Sequence, residues 1–89
     1  MLSVLPAERV RDIKAGTSFT FAVTSALDTP SAVLAGSGSL PREALTIVAN
    51  GNSAIVTLTV PKDARGSFFI YFRDGAGSLT HEVQVRVVQ

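Results

Sequence analysis

Gly66-Ser67-Phe68-Phe69-Ile70-Tyr71-Phe72-Arg73, then Asp74-Gly75-Ala76-Gly77-Ser78, then Leu79 through Val88: this stretch decides the fold. In its last segment Val83, Val85 and Val87 alternate with Glu82, Gln84 and Arg86, the period-two signal of a strand with one face buried and one in water. The segment before it is apolar on both faces, with Phe68, Ile70 and Phe72 in one row and Phe69 and Tyr71 in the other. Two such strands around a Gly-rich turn make a C-terminal β-hairpin. If the Phe68 row shares a core with the valine row, then Phe69, Tyr71 and Arg73 point outward beside Glu82, Gln84 and Arg86. A bulge at Phe68 or Phe69 would swap the two rows.

Working back from this hairpin, Ala44 through Val60 supplies a second one. Asn50-Gly51 lies at its centre, the preferred dipeptide of a type I′ turn. A two-residue loop there pairs Ala49 with Asn52, Ile47 with Ala54 and Leu45 with Val56. Leu45, Ile47, Ala54, Val56, Leu58 and Val60 then share one face, and Thr46, Val48, Ile55, Thr57 and Thr59 share the other. Thr17 to Thr24 reads as a strand with Phe19, Phe21 and Val23 on one side. Glu8 to Ile13 reads as another, in which Val10 and Ile13 have opposite parity, so either a bulge intervenes or one of them faces solvent. Ser25 to Ser31, with Asp28, Thr29 and Pro30, is a turn cluster. Ala32 to Ala35 is expected as a central strand buried on both faces, Gly36 to Pro41 as a crossover, and Pro41 to Ala44 as at most one helical turn.

The first residues leave two readings open. Leu2 to Leu5 is a short strand in its own sheet, or an arm that adds to a neighbouring subunit's edge, where main-chain hydrogen bonds supply affinity. About seven strands at these turn spacings, with no amphipathic helical pattern, predict an all-β, antiparallel sandwich of two sheets. Residues 1–7 form the arm or first strand and 8–89 the sandwich domain.

Composition narrows the role. A chain of 89 residues has room for one domain. At 46% hydrophobic and 17% charged it should order, and a net charge of +1 gives no field selecting nucleic acid or an anionic membrane. Cysteine is absent, which excludes disulfides, thiolate zinc and a Cys nucleophile. The N-terminus lacks the basic region and length of a signal peptide, and no stretch approaches a membrane span. Synthesis in a host cytoplasm is therefore expected. His81 is the one histidine and has no companion motif, so a partly buried, hydrogen-bonded strand-end residue is expected rather than a catalytic one. Asp12, Asp28, Asp63 and Asp74 are scattered, whereas a calcium site needs converging oxygens. No catalytic residue, metal site or cofactor is predicted.

The order of motifs adds a resemblance. Ala15-Gly16-Thr17-Ser18-Phe19-Thr20-Phe21-Ala22-Val23, Gly38-Ser39-Leu40-Pro41, Ala64-Arg65-Gly66-Ser67-Phe68 and Arg73-Asp74-Gly75-Ala76-Gly77 resemble the bacterial and phage immunoglobulin-like modules of the putative-Ig and cadherin-like group. The resemblance covers roughly residues 13 to 88 and departs from antibody domains in having neither Trp nor a Cys pair. It implies a sandwich fold for a spacer, adhesin, carbohydrate binder or virion surface protein. A cysteine-free module running from Met1 to Gln89 resembles small phage virion proteins that decorate capsids or tails.

The function expected on these grounds is non-enzymatic attachment to a capsid or tail, with homo-oligomerisation. The alternative is an adhesion or glycan-binding module, in which the aromatics would stack on sugar rings. The residues expected to carry partner binding are Phe69, Tyr71, Arg73 and Arg86 on the hairpin and Leu2, Val4 and Leu5 in the arm.

Overall fold

Strand alternation sets which side of each element faces inward, and the β-branched and aromatic runs of this chain sustain it over eight strands. The computed structural model describes residues 2–26, 28–35, 42–74 and 80–89. The strands are β1 (Leu2–Leu5), β2 (Val10–Lys14), β3 (Ser18–Ser25), β4 (Ser31–Ala35), β5 (Leu45–Asn50), β6 (Ser53–Thr59), β7 (Ser67–Arg73) and β8 (Thr80–Val88). A 3₁₀ turn, Arg42–Ala44, leads into β5. The first sheet has the order β1-β3-β6-β5 and the second β2-β8-β7-β4. The expected crossover at 36–41 and the turn at 75–78 lie outside the described residues.

The two sheets meet through the predicted rows. Phe21, Val23, Val56 and Leu58 come from the first sheet, and Phe68, Ile70, Phe72, Val83 and Val85 from the second, all fully buried. Phe21 and Phe72 bridge the layers with ring centroids 5.2 Å apart. Phe19 sits at the margin, edge-on to Phe21 at 5.0 Å, and the Arg11 guanidinium caps it 4.2 Å from the ring centroid. Because β7 pairs Phe68 with Val85 and Ile70 with Val83, the Phe68 row is the inner one and no bulge swaps the faces.

The structure decides the readings left open and corrects others. Leu2–Leu5 is a strand of its own sheet, pairing Val4 with Val23, and Val4 is only 4% exposed. After the cis Leu5–Pro6 peptide the chain passes to the second sheet, where β2 runs parallel to β8, so the sandwich is not wholly antiparallel. The parity conflict in β2 resolves without a bulge, with Ile13 inward and Val10 in solvent. β4 is an edge strand, not a central one, and Val33 is exposed.

The hairpin pairs Asn50 with Ser53 and Ala49 with Ala54, so its loop is Gly51-Asn52. Gly51 has φ +62° and no described non-glycine residue has positive φ. Glycine first, in the left-handed region, is the type II′ arrangement rather than type I′. The register thus differs from the expected one by two residues. Strand periodicity is also two, so every side chain keeps its predicted face.

Candidate interaction face

Burying Phe68, Ile70 and Phe72 forces Ser67, Phe69, Tyr71 and Arg73 to the outer face of the second sheet. Register then assembles their neighbours. Val10, Gln84, Phe69 and Ala35 lie in one row across β2, β8, β7 and β4. Glu82, Tyr71 and Val33 lie in the next. The Phe69 and Tyr71 rings stack 6.2 Å apart at an interplanar angle of 22°, each half-buried, with exposed Val10 and Val33 to either side. Arg73 is exposed at one end, while towards the other Arg86 donates from Nε to Asp12 Oδ1 at 2.7 Å. That pair is about half exposed, so it orients Arg86 more than it stabilises the fold.

Of the seven residues predicted to bind a partner, four therefore share one surface: Phe69, Tyr71, Arg73 and Arg86. Leu5 is 60% exposed but faces outward from the other sheet. Val4 belongs to the core of its own chain, and Leu2, half-buried, packs against it. Sequence reasoning missed Val10 and Val33 as part of the face. The parity conflict with Ile13 was the signal for Val10, and nothing local marked β4 as an edge.

The polar chemistry beside this face is committed to the fold. A shallow groove along β2 is lined by Glu8, Val10, Arg11, Asp12 and Arg86, and not by Phe69 or Tyr71. Its charges form two ion pairs, Arg11 with Glu8 at 3.0 Å and Arg86 with Asp12. His81, opposite Phe72 in the ladder, bonds through Nε2 to the Glu8 carbonyl at 3.1 Å. A carbonyl only accepts, so Nε2 carries the proton and donates. Among the described residues no group of three or more His, Asp or Glu side chains could hold a metal ion, and no helix is long and apolar enough to cross a membrane.

No family model matches the sequence, and neither does any curated protein. Solved structures do match. A chain of the complex between titin M10 and an obscurin-like 1 Ig domain superposes with a TM-score of 0.55 at 21% identity, over 98% of this chain and 93% of that one. The fold is immunoglobulin-like. A mutant form of the same complex gives a TM-score of 0.50 at 23% identity, over 98% of this chain and 92% of that one. The twitchin kinase region of C. elegans gives 0.52 at 18% identity, with 86% of this chain matching 14% of that longer protein. In immunoglobulin-like terms the two sheets are the usual pair of four- and three-stranded layers, the second extended by β2 lying parallel to the last strand.

Proposed function

We propose that this immunoglobulin-like module is a non-enzymatic attachment protein that docks on a protein surface through the outer face of its second sheet. The particle we infer is a phage capsid or tail, reached after synthesis in the host cytoplasm, in keeping with the resemblance to phage virion modules. The observation that carries the reading is the stacked Phe69–Tyr71 pair, half-exposed between Val10 and Val33 with arginines towards both ends. Aromatic and arginine side chains are the types that dominate binding energy at protein interfaces. The aromatics stand on the open outer face of a sheet and are not among the residues that line the β2 groove, which favours a flat protein partner over a sugar.

Co-sedimentation with virions purified from the chain's source tests this, comparing wild type with a Phe69→Ser, Tyr71→Ser double variant. The wild type should pellet with the particles, and the folded double variant should stay in the supernatant. Equal pelleting of both would remove the face from the interaction. Release of the wild type by free sugars would transfer the same aromatics to glycan recognition.

A further inference from the structure

Among the described residues the sandwich has four edge strands, and β5 is the longest of those with neither charge nor proline. β2 carries Arg11, Asp12 and Lys14. β1 is four residues long and stops at Pro6. β4 follows Pro30, keeps Ala32 and Leu34 half-buried, and starts beside Arg73. Charges, prolines and shortness are the devices by which edges avoid pairing with other chains. β5, Leu45-Thr46-Ile47-Val48-Ala49-Asn50, has neither charge nor proline, and both of its faces are open: Ile47 is 41% exposed, Val48 69%, and Ala49 is exposed.

Among the described residues its outward backbone also has no partner. A two-residue loop closes on a hydrogen-bonded pair, here Asn50 and Ser53, and alternation then directs the main-chain groups of Asn50, Val48 and Thr46 to β6. The N–H and C=O groups of Leu45, Ile47 and Ala49 therefore point away from the sheet. Behind them, β1, β3, β6 and β5 contain no ionisable side chain. On their outer face Leu5, Ala22, Ile55 and Val48 form an apolar row from edge to edge. Hydroxyl rows flank it, bonded within themselves, as between Ser18 and Thr59 and between Thr20 and Thr57.

We propose that β5 is a self-docking edge, and that its occupant is the β5 strand of a second copy of this chain. The pairing is antiparallel about a two-fold axis at Ile47. Ile47 then faces Ile47 of the second copy, and Leu45 faces Ala49 of the second copy in both directions. All three outward residues are satisfied, with about six new main-chain hydrogen bonds. The half-exposed Ile47 side chains cover one another, and the two Val48 side chains become diagonal neighbours on the outer face. Charge favours a second copy, because an uncharged strand meets itself without repulsion and every charged strand residue lies in the other sheet. This edge is separate from the Phe69–Tyr71 face, so both can be occupied together.

Light scattering after size exclusion, over a dilution series, tests the pairing with three variants. Ala49→Pro removes one outward N–H and no bond to β6, Val48→Lys adds a charge to an exposed position, and Phe69→Ser, Tyr71→Ser leaves β5 intact. The wild type should move from monomer towards twice the monomer mass as concentration rises, and the double variant should follow it. Val48→Lys and Ala49→Pro should stay monomeric while melting cooperatively; if Ala49→Pro unfolds, Val48→Lys carries the test alone. In the concentrated wild type the amides of Leu45, Ile47 and Ala49 should exchange at least tenfold more slowly than at high dilution. The proposal is overturned by a wild type that stays monomeric throughout, by one that grows beyond a dimer, or by a β5 variant that dimerises as the wild type does.

Discussion

Phe72 and Phe69 are three residues apart on one strand and lie on opposite sides of it. Phe72 is fully buried, touching Phe21 of the other sheet and lying 6.3 Å from the His81 ring. Phe69 is half-buried and stacks on Tyr71. Truncating a buried Phe removes its transfer free energy and leaves a cavity between two rigid sheets, which costs roughly 4 kcal/mol. Domain stabilities run from about 5 to 15 kcal/mol, so Phe72→Ala should fall to the margin of folding in a urea titration. Phe69→Ser should shift the midpoint far less, by about 1 kcal/mol, because its ring already meets water. The reverse order would mean that the outer aromatics belong to a core and are not available to a partner. This comparison makes the binding experiments interpretable.

At the scale of elements, what the sequence made legible was periodicity. Phe19 to Val23, Ala54 to Leu58 and Phe68 to Arg73 each announced their faces, and Phe68, Ile70 and Phe72 lie where the alternation put them. The hairpin around Gly51 kept its faces despite a register different by two residues, since only odd slips exchange core and solvent. Strand neighbours were not legible, because they depend on pairings remote in sequence. β2 joins β8 across more than seventy residues, and β4 owes its exposure to ending a sheet whose order no local pattern encodes. The same limit hid the partition of charge between the sheets, and it left β1 open to two readings. Its pairing with β3 makes a testable difference. Deleting residues 1–6 removes the buried Val4 and the packing of Leu2, and strips β3 of its ladder with β1 while leaving the one with β6. We expect a loss of roughly 3 kcal/mol in urea unfolding from apolar burial and hydrogen bonds together. A free arm would leave the midpoint unchanged.

Over the whole molecule the two sheets present different chemistry to the solvent. Arg11, Asp12, Lys14, Arg73, Glu82 and Arg86 all belong to the second sheet, whereas the first offers hydroxyls, one amide and the Leu5, Ala22, Ile55, Val48 row. The two proposed contacts therefore differ in kind, one using a charge-rimmed aromatic face and the other an uncharged edge. Salt separates them. Raising sodium chloride from about 0.1 M to about 1 M shortens the screening length from roughly 10 Å to roughly 3 Å. Association through the Phe69–Tyr71 face should slow over that range, because the surrounding arginines and carboxylates steer encounter. The β5 strand itself has no charge to screen, so the dissociation constant of self-association should stay within about twofold. Replacing chloride by sulfate should tighten the dimer, since excluded anions favour apolar burial. Light scattering of concentration series in the three buffers reads this directly. A tenfold weakening in sodium chloride would put ion pairs in the self-interface and take it off the uncharged β5 strand, to the Arg42–Ala44 turn before it or to the second sheet.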